Sequence, residues 1–424
     1  MKRAPRQSGA GRHKTNLLLE AAGKRMAAVF EQGRFEEALQ LCQQALRIAP
    51  NLTPALVDAA ASCVRLERWR EAIDYGQRAL AAGGNTLALY DALSHAYGHL
   101  GDMEAVRKYG RIALDMRDRM FGSKQPAGFT PTQPLPPVPE AATRQRNLIA
   151  FSLFGGSSKY CETAVLNVEE QPRIYPYWTC RFYVDDSVPA QVLRRIEAGG
   201  AQVVHVQGEL ARWPGTLWRF LALDDAQIHR VIFRDADSVI SEREAQAVAQ
   251  WVESGKRFHV IRDYASHTEL LLAGLWGAVC GSLPPLQPMA AGFLARPVKS
   301  RHFADQYFLR ECVWPHARQS LMQHDSLFGF LDSSPLPGGP PPARFHVGCS
   351  ESAPFFSAST SLPEASPAQW SLYLLEGEDR REALVCTYPA VVRNGLVTAH
   401  LPDRFAKRLS EGTARVKVEA LPSA

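Results

Sequence analysis

Along the first quarter of the chain, small and large apolar residues recur at a spacing of 34. Ala45, Ala79 and Ala113 align, as do Leu46, Leu80 and Leu114, and Phe35, Trp69 and Met103. Gly33, Glu67 and Gly101 share a turn position, and Ala38, Ala72 and Val106 share a small-residue position. Such a period predicts helix–turn–helix pairs. Small residues let the paired helices approach, and large ones fill the space to the next pair. One pair cannot bury its own apolar face, so about three must stack. Pro50 suits a stop after the first pair.

The pattern then changes. Residues 121–146 hold Pro126, Pro131, Pro134, Pro136, Pro137 and Pro139, which favours extended geometry and predicts a semi-rigid spacer. From Asn147 short apolar runs alternate with helical stretches. The runs are 148–154, 180–185, 201–206, 230–235 and 258–263, with a helix expected over 188–197. Ser241 and Glu244 form a capping-box pair. Ala245, Val248 and Val252 follow on one face, and Gly255 stands at the expected stop. This texture predicts a Rossmann-like α/β domain over 147–375, with a mostly parallel sheet and helices on both faces. Residues 333–342 read as a surface loop. Residues 376–424 carry apolar runs at 383–386 and 396–401 without a clear period, and form a C-terminal extension of unassigned fold.

Composition narrows the classes. The net charge is +5, and the first fifteen residues supply Lys2, Arg3, Arg6, Arg12 and Lys14. Residues 1–16 therefore read as a disordered basic arm before repeats over 17–120. The remainder is near neutral, which argues against a broad nucleic-acid surface. The eight cysteines form no CxxC pair, so neither a zinc ribbon nor a dense disulfide scaffold is expected. No signal peptide is evident. The longest apolar stretch, Leu270 to Gly281, is too short for a bilayer span. A cytoplasmic protein is expected.

The chemical signal is Val231-Ile232-Phe233-Arg234-Asp235-Ala236-Asp237-Ser238. An apolar strand delivers two carboxylates, at i and i+2, to its C-terminal end, where open parallel sheets bind ligands. Both are ionised near neutral pH and repel unless a cation sits between them. A hard divalent ion bridged to phosphate oxygens suits that pair.

Two resemblances sit on these residues. The 34-residue pattern resembles tetratricopeptide repeats, with Met26 in place of an early glycine. The second half resembles nucleotide-sugar glycosyltransferases of the GT-A type, in a branch with an RDxDS…RE…AVxxW…FHxxRDxxxH…GxWG pattern. That pattern is present as Arg234–Ser238, Arg243-Glu244, Ala247-Val248, Trp251, Phe258–Asp263, His267 and Gly274–Gly277. Asp305-Gln306 and His324-Asp325-Ser326 follow downstream.

The resemblance implies a GT-A-like catalytic domain that transfers sugar from a nucleotide-sugar donor, with Mn2+ or Mg2+ as cofactor. It implies Asp235, Asp237 and His324 as metal ligands, His346 being the rival for the third place. Donor binding falls to Phe154, Gly155, Arg219, Arg234, Asp235, Asp263, Gly274, Trp276 and Gly277. Asp305 and Asp325 are the candidate catalytic bases. For Trp276 the competing role is core packing, and for each Arg a structural ion pair. The acceptor would be a protein, peptide or glycan, recruited in part by the repeats, which also offer a face to a protein partner. Two other readings stand beside it: a non-catalytic repeat scaffold on a degenerate transferase fold, and a haloacid-dehalogenase-type phosphohydrolase.

Overall fold

A computed structural model describes residues 9–122, 129–131, 133–298, 300–339, 345–351 and 354–421, with the backbone alone for 9–16 and 18. The chain forms two compact units. The first is Met1–Ser123 together with Arg262–Leu270 and Asp325–Ser334. The second is Lys124–Ile261, Leu271–His324 and Pro335–Ala424.

The first unit is built on helices α1 (Gly9–Glu31), α2 (Phe35–Ile48), α3 (Thr53–Arg65), α4 (Trp69–Ala81), α5 (Leu87–His99) and α6 (Met103–Phe121). The small repeat positions do what their size predicts, while of the large ones Phe35 and Trp69 are half-buried and Met103 is exposed. Ala38, Ala72, Ala79, Ala113 and Val106 are buried where helices meet. The shared turn position is left-handed in all three pairs: Gly33, Glu67 and Gly101 have φ of 76°, 58° and 79°. Glu67 holds there a conformation that glycine takes without strain. Two helix starts in this unit are capped by side chains. The Thr86 hydroxyl accepts from the Leu89 amide at 3.3 Å, and Asp102 from the Ala105 amide at 3.0 Å. Helix α1 takes up the arm expected over 1–16 from Gly9 onward. Residues 1–8 lie outside the described residues.

The second unit carries β1 (Asn147–Leu153), α7 (Ser158–Ile174), β2 (Thr179–Val184), α8 (Ala190–Ala198), β3 (Gln202–His205), β4 (Arg230–Phe233), α9 (Glu242–Glu253), β5 (Phe258–Arg262), β6 (Trp276–Val279), α10 (Leu286–Leu294), α11 (Ala304–Phe308) and β7 (Leu321–Asp325). The sheet order is β3-β2-β1-β4-β6-β5-β7. Strands β1 to β4 pair in parallel, with Ala150 opposite Phe233. Strand β6 runs antiparallel to both β4 and β5. All seven residues of β1 are buried, as a strand covered on both faces must be.

Three sequence expectations change here. The Gly274–Gly277 stretch, expected as a donor loop, contains the start of β6: Trp276 and Gly277 pair with Phe233 and Ile232. A short apolar run flanked by glycines carries no period that separates strand from loop. The proline-rich spacer is tied down. Arg230 donates to the carbonyls of Pro137 and Pro136 at 2.6 and 2.7 Å, and Arg257 to Gln133 at 2.6 Å. Burial lowers the Arg230 pKa to about 10. Pro126 lies outside the described residues. Finally, the boundary expected at 375/376 falls inside the strand Pro367–Glu376, which pairs antiparallel with Arg381–Val391 and Ala414–Ala420. Trp370, Leu372, Tyr388 and Phe405 from this region share one core with α7 and α8. Tyr388 donates to Glu162 at 2.5 Å, and Arg195 grips the same carboxylate at 2.8 and 3.0 Å.

None of the eight cysteines forms a disulfide. Among the described residues no helix is long and apolar enough to cross a membrane.

Candidate active site at the rim of the parallel strands

Strands β1 and β4 are neighbours and parallel, so the chain beyond their C-terminal ends meets at one rim. β4 ends at Phe233, and residues 234–238 leave the sheet with side chains on alternate sides. Arg234, Ala236 and Ser238 are buried, while the Asp235 side chain is 51% exposed.

Asp235 is joined to Arg219, which sits in the 3-10 run Gly215–Asp224. The Arg219 guanidinium reaches Asp235 Oδ1 at 2.5 Å, the Arg234 carbonyl at 2.8 Å and Asp305 Oδ2 at 2.9 Å. Its own amide donates to Ser152 Oγ, at the end of β1, at 3.0 Å. Arg219 is nearly sealed from solvent. Burial works against its charge, the two carboxylates work for it, and its pKa ends raised. Asp305 is buried as well. Burial raises its pKa despite Arg219. Its second oxygen accepts from the Gln306 amide at 2.8 Å. Asp305 therefore braces Arg219, and its taken oxygens leave it unsuited to the base role the sequence suggested.

Asp237 meets a residue that the sequence reasoning missed. Lys159, in the first turn of α7, places Nζ 3.1 Å from Asp237 Oδ2, and both side chains are partly exposed. Burial opposes the ammonium and the carboxylate supports it, for a net raised pKa. The available signal was its place just after Phe154-Gly155-Gly156, one loop beyond β1. In that loop Phe154 is exposed and sits edge-on to Trp218, with centroids 5.7 Å apart. Gly155 has φ 78°. Its amide donates to Ser187 Oγ at 2.6 Å, so it is spoken for within the protein. Gly274 closes the other side: a Cβ there would lie 2.1 Å from Asp235 Oδ2. Only glycine leaves that carboxylate its position.

The remaining expected site residues sit elsewhere. Arg234 is sealed in and binds Glu244 Oε1 at 2.8 Å, which also accepts from the Tyr175 hydroxyl at 3.3 Å. It is a structural ion pair and not a phosphate ligand. Trp276 is fully buried, stacked 4.5 Å from Phe233 and edge-on to Phe220, so no ring face is left for a sugar. Gly277 is a packing glycine, where a Cβ would meet Ile232 at 3.0 Å. His324 is buried with both ring nitrogens engaged: Nδ1 lies 2.8 Å from His259 Nε2, and Nε2 lies 2.8 Å from Gln250 Oε1. Burial takes its pKa to about 4. It is not a third ligand beside Asp235 and Asp237.

Asp263 and Asp325 belong to the first unit. Asp325 is buried, and its carboxylate accepts from the amides of Leu327, Phe328 and Phe330 at 2.9, 2.8 and 3.3 Å. It shapes a turn and is unavailable as a base. Asp263 is buried, and its amide donates to His267 Nδ1 at 3.0 Å. His346 lines a separate cleft of about 610 Å³ with Arg173, Arg243, Glu351 and Arg404. Among the described residues, no three His, Cys, Asp or Glu side chains gather closely enough to hold a metal ion.

Residues 29–96 match the tetratricopeptide repeat family. No curated protein matches the chain. Among solved structures, a mutant of the Thermobaculum terrenum O-GlcNAc transferase aligns at 13% identity and a TM-score of 0.30 over 52% of this chain. The chain spans 46% of that protein's length. The 4-diphosphocytidyl-2C-methyl-D-erythritol synthase of Anaerococcus prevotii aligns at 11% identity and TM-score 0.29, covering 44% of this chain and 91% of that one. Glucosyl-3-phosphoglycerate synthase of Mycobacterium tuberculosis aligns at 15% identity and TM-score 0.28, covering 47% and 75%. At such scores the correspondence is loose and brings neither fold nor activity to this chain. What stands is a tetratricopeptide-type helical repeat segment followed by a mostly parallel α/β sheet.

Proposed function

We propose that the second unit is a glycosyltransferase. It moves a sugar from a nucleoside-diphosphate donor to a hydroxyl of a protein, peptide or glycan, with Mn2+ or Mg2+ held by Asp235 and Asp237. The observation that carries this reading is the rim itself. Two carboxylates follow the end of β4, Asp235 paired with the braced Arg219 and Asp237 with Lys159, beside its parallel neighbour β1, and that edge is where such sheets take their ligands.

The donor set fits a hard cation. Asp235 is half exposed, and Gly274 keeps its Oδ2 clear of a neighbouring side chain. Two carboxylates suffice for Mg2+ or Mn2+ when water and phosphate oxygens fill the other positions. The ion, once bound, neutralises charge on the departing diphosphate. The chain's own residues supply the rest. Arg219, buried and fixed by Asp305 and the Arg234 carbonyl, holds the Asp235 carboxylate in place at the rim. Lys159 neutralises Asp237. Were Asp237 to hold a cation instead, the Lys159 ammonium would be free to pair with phosphate oxygens. The exposed Phe154 ring offers an apolar face to the nucleoside.

The test is a thermal-shift screen of nucleotide sugars with and without Mn2+. A matched donor raises the melting temperature of the wild type only when metal is present, and Asp235→Ala and Asp237→Ala each abolish the rise. A rise that survives both substitutions sinks the site assignment. No response to any nucleotide sugar or nucleoside diphosphate sinks the activity.

A further inference from the structure

The repeats carry a ligand already. We infer that α5 and α6, the last helical pair, take the chain's own segment Arg262–Leu270 as their peptide, and so fix the turn that bears Asp263 and His267. This face is then a positioning device and not a docking site for a foreign partner.

The argument starts from α5. Asp91, Ser94, His95, Gly98 and His99 recur at helical spacing and so share one face. Each meets the segment. The buried Ser94 hydroxyl donates to the Ala265 carbonyl at 2.7 Å. Thr268 donates to Asp91 Oδ1 at 2.7 Å. Tyr264 shares a 2.8 Å hydrogen bond with His99 Nε2, and its ring stands edge-on to His95 and His99. His99 is itself stacked on Trp69 of α4, with centroids 3.7 Å apart and planes 5° from parallel.

Gly98 makes this approach possible, and Gly110 does the same for the neighbouring segment 325–334. A Cβ on Gly98 would lie 2.2 Å from the Ala265 Cβ, and one on Gly110 of α6 would lie 2.2 Å from the Phe328 ring. Neither glycine has a positive φ, so backbone conformation does not explain them; close approach does. Helix α6 adds charge. Arg117, buried, holds Asp91 with two hydrogen bonds at 3.0 and 2.7 Å, and its Nε pairs with Glu269 at 3.1 Å without hydrogen-bond geometry. Arg262 donates to the Glu269 carbonyl at 3.0 Å, which closes the segment on itself.

Bonds to side chains, to a carbonyl and to a buried ion pair fix this segment by shape and by sequence. A generic apolar groove would show neither. A foreign partner of the repeats is left the faces of α1 to α4.

The contact of Gly98 with Ala265 gives a reversible test in the full-length chain, read by hydrogen–deuterium exchange without any substrate. Gly98→Ala favours the helix itself, so a loosened segment cannot be blamed on a weaker α5. It should speed exchange over residues 262–270 by about tenfold. Adding Ala265→Gly moves the methyl from one partner to the other and should restore wild-type protection. Ser94→Ala, which adds no atoms, should speed exchange over the same residues by a smaller factor. Unchanged exchange in Gly98→Ala, or no recovery in the double variant, overturns the inference. A failure of nucleotide-sugar binding would overturn the proposed function and leave this result standing.

Discussion

Arg234 and Asp235 are adjacent in sequence and opposite in fate. Arg234 points into a sealed layer with Glu244 and Tyr175, and Asp235 points out to the rim with Arg219. The contrast repeats elsewhere in the unit. His259 and His324 are buried against each other and Gln250, while Lys159 and Asp237 stand partly exposed. One motif thus serves two layers. Buried charges hold their partners in a fixed geometry, because an unpaired charge in that layer is costly. The exposed rim groups, Asp235, Asp237 and Lys159, remain able to exchange partners, because water can replace whatever leaves.

Substitutions in the two layers should therefore fail in different assays. The largest effect is expected from Arg234→Ala, which strands Glu244 in the interior. It should cost about 3–5 kcal/mol of stability by chemical denaturation, with loss of function following loss of fold. Asp235→Asn should keep the melting temperature within a few degrees and reduce nucleotide-sugar turnover by about 100- to 1000-fold. A folded, active Arg234→Ala, or an unfolded Asp235→Asn, would erase the distinction between layers.

Lys159→Gln sharpens the rim side. It removes the competitor for Asp237, so calorimetric titration should show tighter Mn2+ binding, while affinity for a nucleoside diphosphate falls by about tenfold. Equal metal affinity in both proteins would show that Lys159 does not compete.

The histidine pair provides a pH test of the sealed layer. Burial holds His324 at a pKa of about 4 and His259 well below its usual value. An unfolded histidine titrates near 6.5, so the unfolded state binds more protons between these values. Stability conferred by the neutral pair is complete above about pH 6.5 and lost as pH falls toward 4, by on the order of 3 kcal/mol from His324 alone. His324→Gln should flatten that part of the stability–pH profile. The smallest effect belongs to Ser241→Ala. It removes the 3.4 Å bond from the Glu244 amide and should cost about 1 kcal/mol, visible as a small shift in melting temperature.

Local pattern carried much of this protein. The 34-residue period located the helical pairs and their left-handed turns, since small residues and glycine-type turns act within one repeat. The strands β1 to β5 and the capped α9 were legible from apolar runs and an N-cap, and so was the sheet edge to which Asp235 and Asp237 come. Only tertiary structure decided which side chains of the motif face the rim, because strand alternation sets sides without saying which side is covered. It also turned the GxWG stretch into a central strand, gave Asp305 to Arg219 and Asp325 to three backbone amides, brought Lys159 to Asp237, and laid residues 262–270 on α5. Each of those depends on partners far apart in the chain, and a local pattern holds no record of what will be packed against it.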